Sequence, residues 1–308
     1  MLNKTQVVRA PVAQLRYVRL RRETNGMLFV LPTVLVLLAI IGYPILETLR
    51  LSVSQVQLGQ TATPFVGLAN YGDVLGDRVF GTAVRNTLVW TALSVIGVIA
   101  LGLLAGLLVH EKIPGRGLIR SLLLVPWIVP GIVVAVVWKW LYNPDFGVID
   151  DVLVRIGLLS SHVNFLADPK TALYAVVVVN VWKSFPFAML MILAGLQSAP
   201  EQLYEAARVD GATAWDRLIY VTLPHLRPVL LVLALLLTIW NMNTFTYIFV
   251  LTGGGPVRLT EVLGVYIYNT AFQGFHFGTA SAAAVIVFLL SGALTLVYVR
   301  AIGKDTTG

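Results

Sequence analysis

Six apolar runs restrict this chain more than any other feature; they lie near 27–50, 84–109, 119–141, 171–196, 227–251 and 278–300. A hydrocarbon core of ~30 Å is crossed by about 20 helical residues, so each run is long enough to span a bilayer. Lipid offers no partners to open backbone N–H and C=O groups, which makes helices the expected spanning form. The second run is the clearest, since Asn86 to Val109 contains no charged residue. The expected fold is an all-α polytopic membrane protein with six transmembrane helices.

Composition agrees with the runs. Hydrophobic residues make up 57% of the 308 and charged residues 12%, the latter about half the share in an average soluble domain. A net charge of +7 would suggest a nucleic-acid surface in a soluble chain, but here its distribution decides its meaning. With the N-terminus placed in the cytoplasm, Lys4, Arg9, Arg16, Arg19, Arg21, Arg22, Lys112, Arg116, Arg120, Arg208, Arg217, Arg227, Arg300 and Lys304 all fall inside. Outside fall Arg78, Arg155, Lys170 and Arg258, while Arg50, Arg85, Lys139 and Lys183 sit in or at the ends of spans. Fourteen against four follows the positive-inside rule and predicts that both termini are cytoplasmic. The expected surroundings are membrane lipid, with no nucleic-acid partner. The basic segment 1–26 precedes an apolar run longer than the about 7–15 residues of a signal-peptide core, with no clear cleavage site. It is expected to be a cytoplasmic tail, followed by a membrane domain over 27–301 and a second tail over 302–308.

Several chemistries find no support. There is no cysteine for disulfides or thiolate metal sites, and His110, His162, His225 and His276 have no ligand spacing. In the outer loop 143–170, Asp150-Asp151 lacks a glycine-turned ligand loop, so a solvated loop face is expected there rather than a calcium site. The "TGGGP" of 252–256 is a permissive turn without the pattern of a phosphate loop.

Between the fourth and fifth runs lies a polar stretch, "EAARVDGATAWDRLIYVTLP" (205–224). Its local grammar is two short helices joined by a tight turn. Ser198-Ala199-Pro200-Glu201 fits a capping box, Asp210-Gly211 a helix end, and Thr213-Ala214-Trp215-Asp216 a second cap, with Pro224 limiting the far end. Small Ala206, Ala207 and Gly211 permit close approach of a partner backbone, while Glu205, Arg208, Asp210 and Arg217 can fix its register. An interfacial hairpin resting on lipid headgroups shares that amphipathic signature.

The residues also resemble a specific family. Glu205-Ala206-Ala207, then Gly211, then Val221-Thr222-Leu223-Pro224 is similar to the signature loop of permease subunits in binding-protein-dependent ABC importers, with Val221 in place of the usual isoleucine. "LLAGLQSAPEQLYEAARVDGAT" and "LPHLRP…WNMNTFTYIFVLTGGGP", together with "GYPI" and "VGLANY", resemble the carbohydrate branch, which includes maltose, glycerol-3-phosphate and trehalose permeases. The resemblance implies that loop 198–224 carries a cytoplasmic coupling helix, with Glu205, Ala206, Ala207, Asp210, Gly211, Leu223 and Pro224 at the contact with an ATPase. It also implies the partners: a second homologous permease, two ATPase subunits or a homodimer, and an extracytoplasmic sugar-binding protein. ATP and magnesium would be bound by the ATPases, leaving no cofactor and no enzymatic step in this chain. The implied location is a prokaryotic plasma (inner) membrane.

Polar groups inside spans are costly, so they mark candidates for a site. Asn180, Ser184 and Phe187 lie at i, i+4 and i+7 on one helical face. Trp240-Asn241 places an aromatic plane beside an amide, suited to a sugar ring and its hydroxyls. Helix–helix hydrogen bonding is the competing use of such asparagines. In the maltose-type permeases that this chain resembles, one asparagine before and one after the coupling loop contact sugar, and Asn180 and Asn241 match those positions. A mid-membrane lysine costs ~3 kcal/mol on insertion scales, so Lys183 should face a polar interior, in a structural role or beside an anionic substrate. The alternatives are a six-span secondary transporter or channel, and an intramembrane enzyme. The first is expected to place ion-coupling carboxylates mid-membrane, yet Glu47 is the only acid in a span. The second needs a nucleophile–base or di-aspartate set inside spans, and none is found.

Overall fold

The computed structural model describes residues 29–305 apart from 57–58, 60–62 and 112–113, with side chains up to 300. The tail expected over 1–26 and residues 306–308 of the second tail lie outside the described residues. Among the described residues, five helices are long and apolar enough to cross a membrane: Phe29–Ser52, Arg78–His110, Ala172–Gln197, Ala214–Met242 and Phe277–Arg300. The described residues contain no strand beyond an isolated bridge between Ser54 and Phe65. The all-α polytopic expectation holds.

Two span boundaries differ instructively from the apolar runs. The third apolar run, called the third span below, is not one straight helix. It is a pair, Arg116–Ile128 and Gly131–Leu141, bent by 95°. Pro130 has no N–H to offer the carbonyl four residues back, and Val129 before it takes an extended conformation (φ −64°, ψ 132°), as the residue preceding a proline tends to. The fifth span runs over Ala214–Met242 rather than 227–251. Pro224 does not stop the helix, because the π turn Leu218–Thr222 precedes it and Leu223 N–H reaches back five residues to the Leu218 carbonyl. That wider turn accommodates a proline where a strict α ladder would break. The predicted end at 251 fails for the opposite reason: the helix stops at Met242, and a separate helix begins at Thr246 and runs to Leu251.

The fourth span is the axis of the fold. Sixty-one per cent of its apolar window is buried, against none for the first span. It packs on the second span through a seam of small residues. A Cβ added at Gly102 would lie 2.5 Å from that of Ala188, so the two backbones approach as closely as membrane helices do at small-residue contacts. Val98, Ala188, Ile192, Leu196, Leu226, Leu233 and Leu237 then join the second, fourth and fifth spans in one core.

By topology the 198–224 hairpin lies at one end of the bundle, and the 1–2, 3–4 and 5–6 connections lie at the other. Side chains tie those connections to the spans. Asn70 Nδ2 donates to the Ser52 and Ser54 carbonyls (2.9 and 3.0 Å), and Asn86 Nδ2 to those of Glu261 and Arg258 (3.0 and 3.2 Å). The face expected to be solvated at Asp150-Asp151 is divided. On the short helix Val148–Arg155 the two acids point about 100° apart, so Asp151 pairs outward with Arg155 while Asp150 is buried. Asp150 takes a 2.6 Å hydrogen bond with His162 Nδ1 and accepts from Val163 N–H at 3.1 Å. Glu47 pairs with Arg50, three residues on, at 2.6 Å.

Candidate functional site

The hairpin is set by local chemistry. Its first helix, Glu201–Val209, ends in a Schellman turn: Gly211 N–H donates to the Arg208 carbonyl (3.1 Å) and Ala212 N–H to that of Ala207 (2.9 Å). Gly211 has φ +81°, a conformation that costs other residues ~1–2 kcal/mol. Thr213 and Asp216 then form a reciprocal capping box that starts the fifth span. The box expected at Ser198–Glu201 does not form. Pro200 occupies the cap position with no side-chain bond, and the Ser198 hydroxyl turns back to the Gly195 carbonyl at 2.7 Å. That bond instead satisfies a carbonyl at the end of the fourth span.

Two contacts fasten the hairpin to the spans: Tyr204 Oη with Thr222 Oγ1, and Ser198 Oγ with His225 Nε2, both at 3.2 Å. Large apolar side chains are exposed on both of its helices: Val209 87%, Tyr220 75%, Trp215 67% and Leu203 49%. Glu205, Ala206, Asp210, Gly211 and Pro224 are exposed as well, while Ala207 and Leu223 are half-buried. The hairpin therefore displays a rigid, mixed apolar and charged surface at the end of the bundle.

The second candidate lies where the fourth span meets the last turn of the fifth, which brings all five predicted side chains together. Asn180 Nδ2 donates to Asn241 Oδ1 at 2.7 Å, and Ser184 Oγ lies 3.4 Å from Asn180 Oδ1. The rings of Phe187 and Trp240 meet with centroids 5.0 Å apart, and Trp127 extends the set to Phe187 at 6.1 Å. The five do not share one environment. Asn180 and Asn241 are 3% and 4% exposed and bond to each other, as helix-pairing amides do, whereas Trp240 is half exposed. Asn241 Nδ2 is itself directed to the Leu237 carbonyl at 2.8 Å.

Beside Trp240 opens a cavity of about 440 Å³, lined by Gly131, Asn243, Thr244, Phe245, Thr246 and Tyr247 among others. It sits where the fifth span breaks after Met242 and the third turns at Pro130. Residue types alone did not single out Gly131 or Tyr247, because neither break was expected at those positions. The available signal was Pro130 within the third apolar run. Lys183 is buried beside the cluster, its ammonium group donating to the Trp127 carbonyl.

Comparison with known proteins sets this geometry in context. Residues 98–308 match the family described as binding-protein-dependent transport system inner membrane component. The chain is 38% identical over 280 residues to the trehalose/maltose transport system permease protein of Thermococcus litoralis, covering 91% of this chain and 94% of that one. It is 34% identical to the trehalose transport system permease of Mycobacterium tuberculosis over 94% of this chain and 92% of that one. Among solved structures, a bacterial ABC transporter that imports the acidic polysaccharide alginate superposes with a TM-score of 0.81 at 24% identity, over 94% of this chain and 98% of that one.

Proposed function

This chain belongs to the family of binding-protein-dependent transport system inner membrane components, and from that membership we propose that it is the permease subunit of an ATP-driven sugar importer. It is a multi-pass membrane protein whose relatives are permease components rather than catalytic subunits. It forms half of a translocation path with a second, homologous permease and is fed by an extracytoplasmic sugar-binding protein. Hydrolysis belongs to cytoplasmic ATPases, which bind ATP and magnesium, and this chain transmits their movement.

The observation that carries the transducing role is the hairpin. Its backbone is fixed by a left-handed glycine and a capping box, yet it exposes Leu203, Val209, Trp215 and Tyr220. Apolar residues exposed at a bundle end mark a contact surface, for protein or for lipid, and the family membership favours a protein partner. Glu205, Ala206, Ala207, Asp210, Gly211, Leu223 and Pro224 belong to that contact. The sugar reading draws on the names of the relatives and on the aromatic and polar residues around Trp240. Substrate meets Trp240 and Phe187 as ring faces, with Asn180, Ser184 and Asn241 as polar partners. In the described state Asn180 donates to Asn241, whose own Nδ2 is directed to the Leu237 carbonyl, so these amides become available to sugar only when the fourth and fifth spans move apart.

Reconstitution with the ATPase and the binding protein tests the proposal. Uptake of labelled trehalose or maltose should require hydrolysable ATP, and uptake without nucleotide would instead favour a secondary transporter. Orientation is tested separately by reporter fusions, expected outside at Asp151 and inside at Thr213 with both termini cytoplasmic. The reverse pattern at either site contradicts it.

A further inference from the structure

We propose that Lys183 is a positioning residue for the bend in the third span and, through it, for Trp127. The break leaves specific backbone groups without partners. In a continuous helix the Trp127 carbonyl would accept from the N–H of residue 131, but the chain turns by 95° between Ile128 and Gly131 and that bond is lost. A carbonyl at a helix C-terminus carries partial negative charge and, in a membrane interior, no water to solvate it. Lys183, 8% exposed on the fourth span, donates its ammonium group to this carbonyl.

The geometry makes this a two-point hold. Phe187 stands one turn beyond Lys183 on the same helical face, and its ring meets that of Trp127. The backbone of residue 127 is thus fixed by Lys183 and its side chain by Phe187, which in turn meets Trp240. The other arm of the bend is held in the same chemical manner. Lys139 Nζ donates to the Val250 carbonyl at 3.2 Å, in the last turn of the short helix Thr246–Leu251. Each arm therefore takes part in a cation-to-carbonyl bond at a helix C-terminus, which gives two lysines within the membrane region a use that needs no charged substrate. Only the consequence for transport rests on the proposed substrate path.

The absence of cysteine from the chain permits a direct test. Spin labels at Leu122→Cys and Val137→Cys, both exposed positions on opposite arms, report the bend in the permease assembled with cysteine-free partners. One narrow distance is expected with Lys183 present. Lys183→Met should add a second distance holding about a tenth of the population, the upper end for the minor state of a two-state element. Lys183→Arg should restore the single distance. An unchanged distribution in Lys183→Met overturns the proposal. Should Lys183→Met fail to assemble, Pro130→Ala supplies the deciding background, since it allows a continuous helix in which the Trp127 carbonyl regains its intrahelical partner. Assembly of Lys183→Met only with Pro130→Ala supports the pin, and failure of both refutes it. Normal uptake in Asn180→Ala and Asn241→Ala would remove the substrate path while leaving these distances untouched.

Discussion

In the hairpin, the bonds that shape the turn join residues no more than five positions apart, as from Ala212 to Ala207 and from Thr213 to Asp216. In the cluster between the fourth and fifth spans the deciding bond joins Asn180 to Asn241, 61 positions apart. The hairpin is exposed and holds its shape without a partner. The cluster is buried and has its shape only because the fourth and fifth spans are packed together. A docking element that must transmit force gains from local rigidity. A substrate site that must open and close gains from bonds between elements that move. On the proposed function the two regions serve different halves of one cycle, and substitutions in each should fail differently.

The largest effect is expected at Gly211. Gly211→Trp places a large side chain on a left-handed residue where, beyond its two chain neighbours, an added Cβ meets no atom within 4 Å. The isolated permease should insert and fold, while association with the ATPase and all coupled uptake are lost. Glu205→Lys, exposed on the same surface, should weaken association by charge reversal. Normal uptake by both variants would mean that the hairpin is an interfacial rest rather than a coupling element.

The second test divides the two uses of the asparagine pair. Asn241→Ala leaves Asn180 Nδ2 without its acceptor, at a cost of ~1–3 kcal/mol for an unmet buried donor, falling toward about 0.6 kcal/mol if the membrane-embedded pair behaves like an average helix-pairing bond. Uptake should fall strongly, whereas Asn269→Ala, in the π turn Asn269–Gln273 preceding the sixth span, should leave it unchanged. Asn180→Leu with Asn241→Leu sharpens the point. Removing both polar groups should preserve stability and abolish uptake if the amides meet sugar. Preserved uptake would reduce the pair to a structural clasp.

The smallest effect is expected at the cap. Thr213→Ala removes one side of the capping box and should cost roughly 1 kcal/mol of hairpin stability. The change should appear as faster hydrogen exchange over 213–217, with coupling only slightly reduced. A large loss of uptake would show that the box contacts the partner as well as the helix.

The same contrast explains what could be read before the fold was known. Apolar length needs no tertiary information, so five span-length helices and the apolar run that became the bent pair were legible, as were the Gly211 turn and the Thr213 cap. Boundaries set by backbone hydrogen bonding were not. Hydropathy cannot register that Pro130 turns a span through 95° while Pro224, behind a π turn, turns nothing. Nor can it place the start of the second span at Arg78, six residues before its apolar run, where Asp77 caps Val79 N–H at 2.8 Å. At the site, helical spacing grouped Asn180, Ser184 and Phe187, but the burial of Asp150 and the use of Lys183 depend on partners 12 and 56 positions away.

The central claim is that coupling and substrate contact reside in separate regions of one chain. The most direct test measures binding-protein-stimulated ATP hydrolysis and labelled-sugar uptake side by side in proteoliposomes carrying wild type, Gly211→Trp or Asn241→Ala. The account predicts that Gly211→Trp loses both activities, while Asn241→Ala loses most uptake and keeps stimulated hydrolysis. Equal loss of hydrolysis in the two variants, or full uptake in Gly211→Trp, would contradict it.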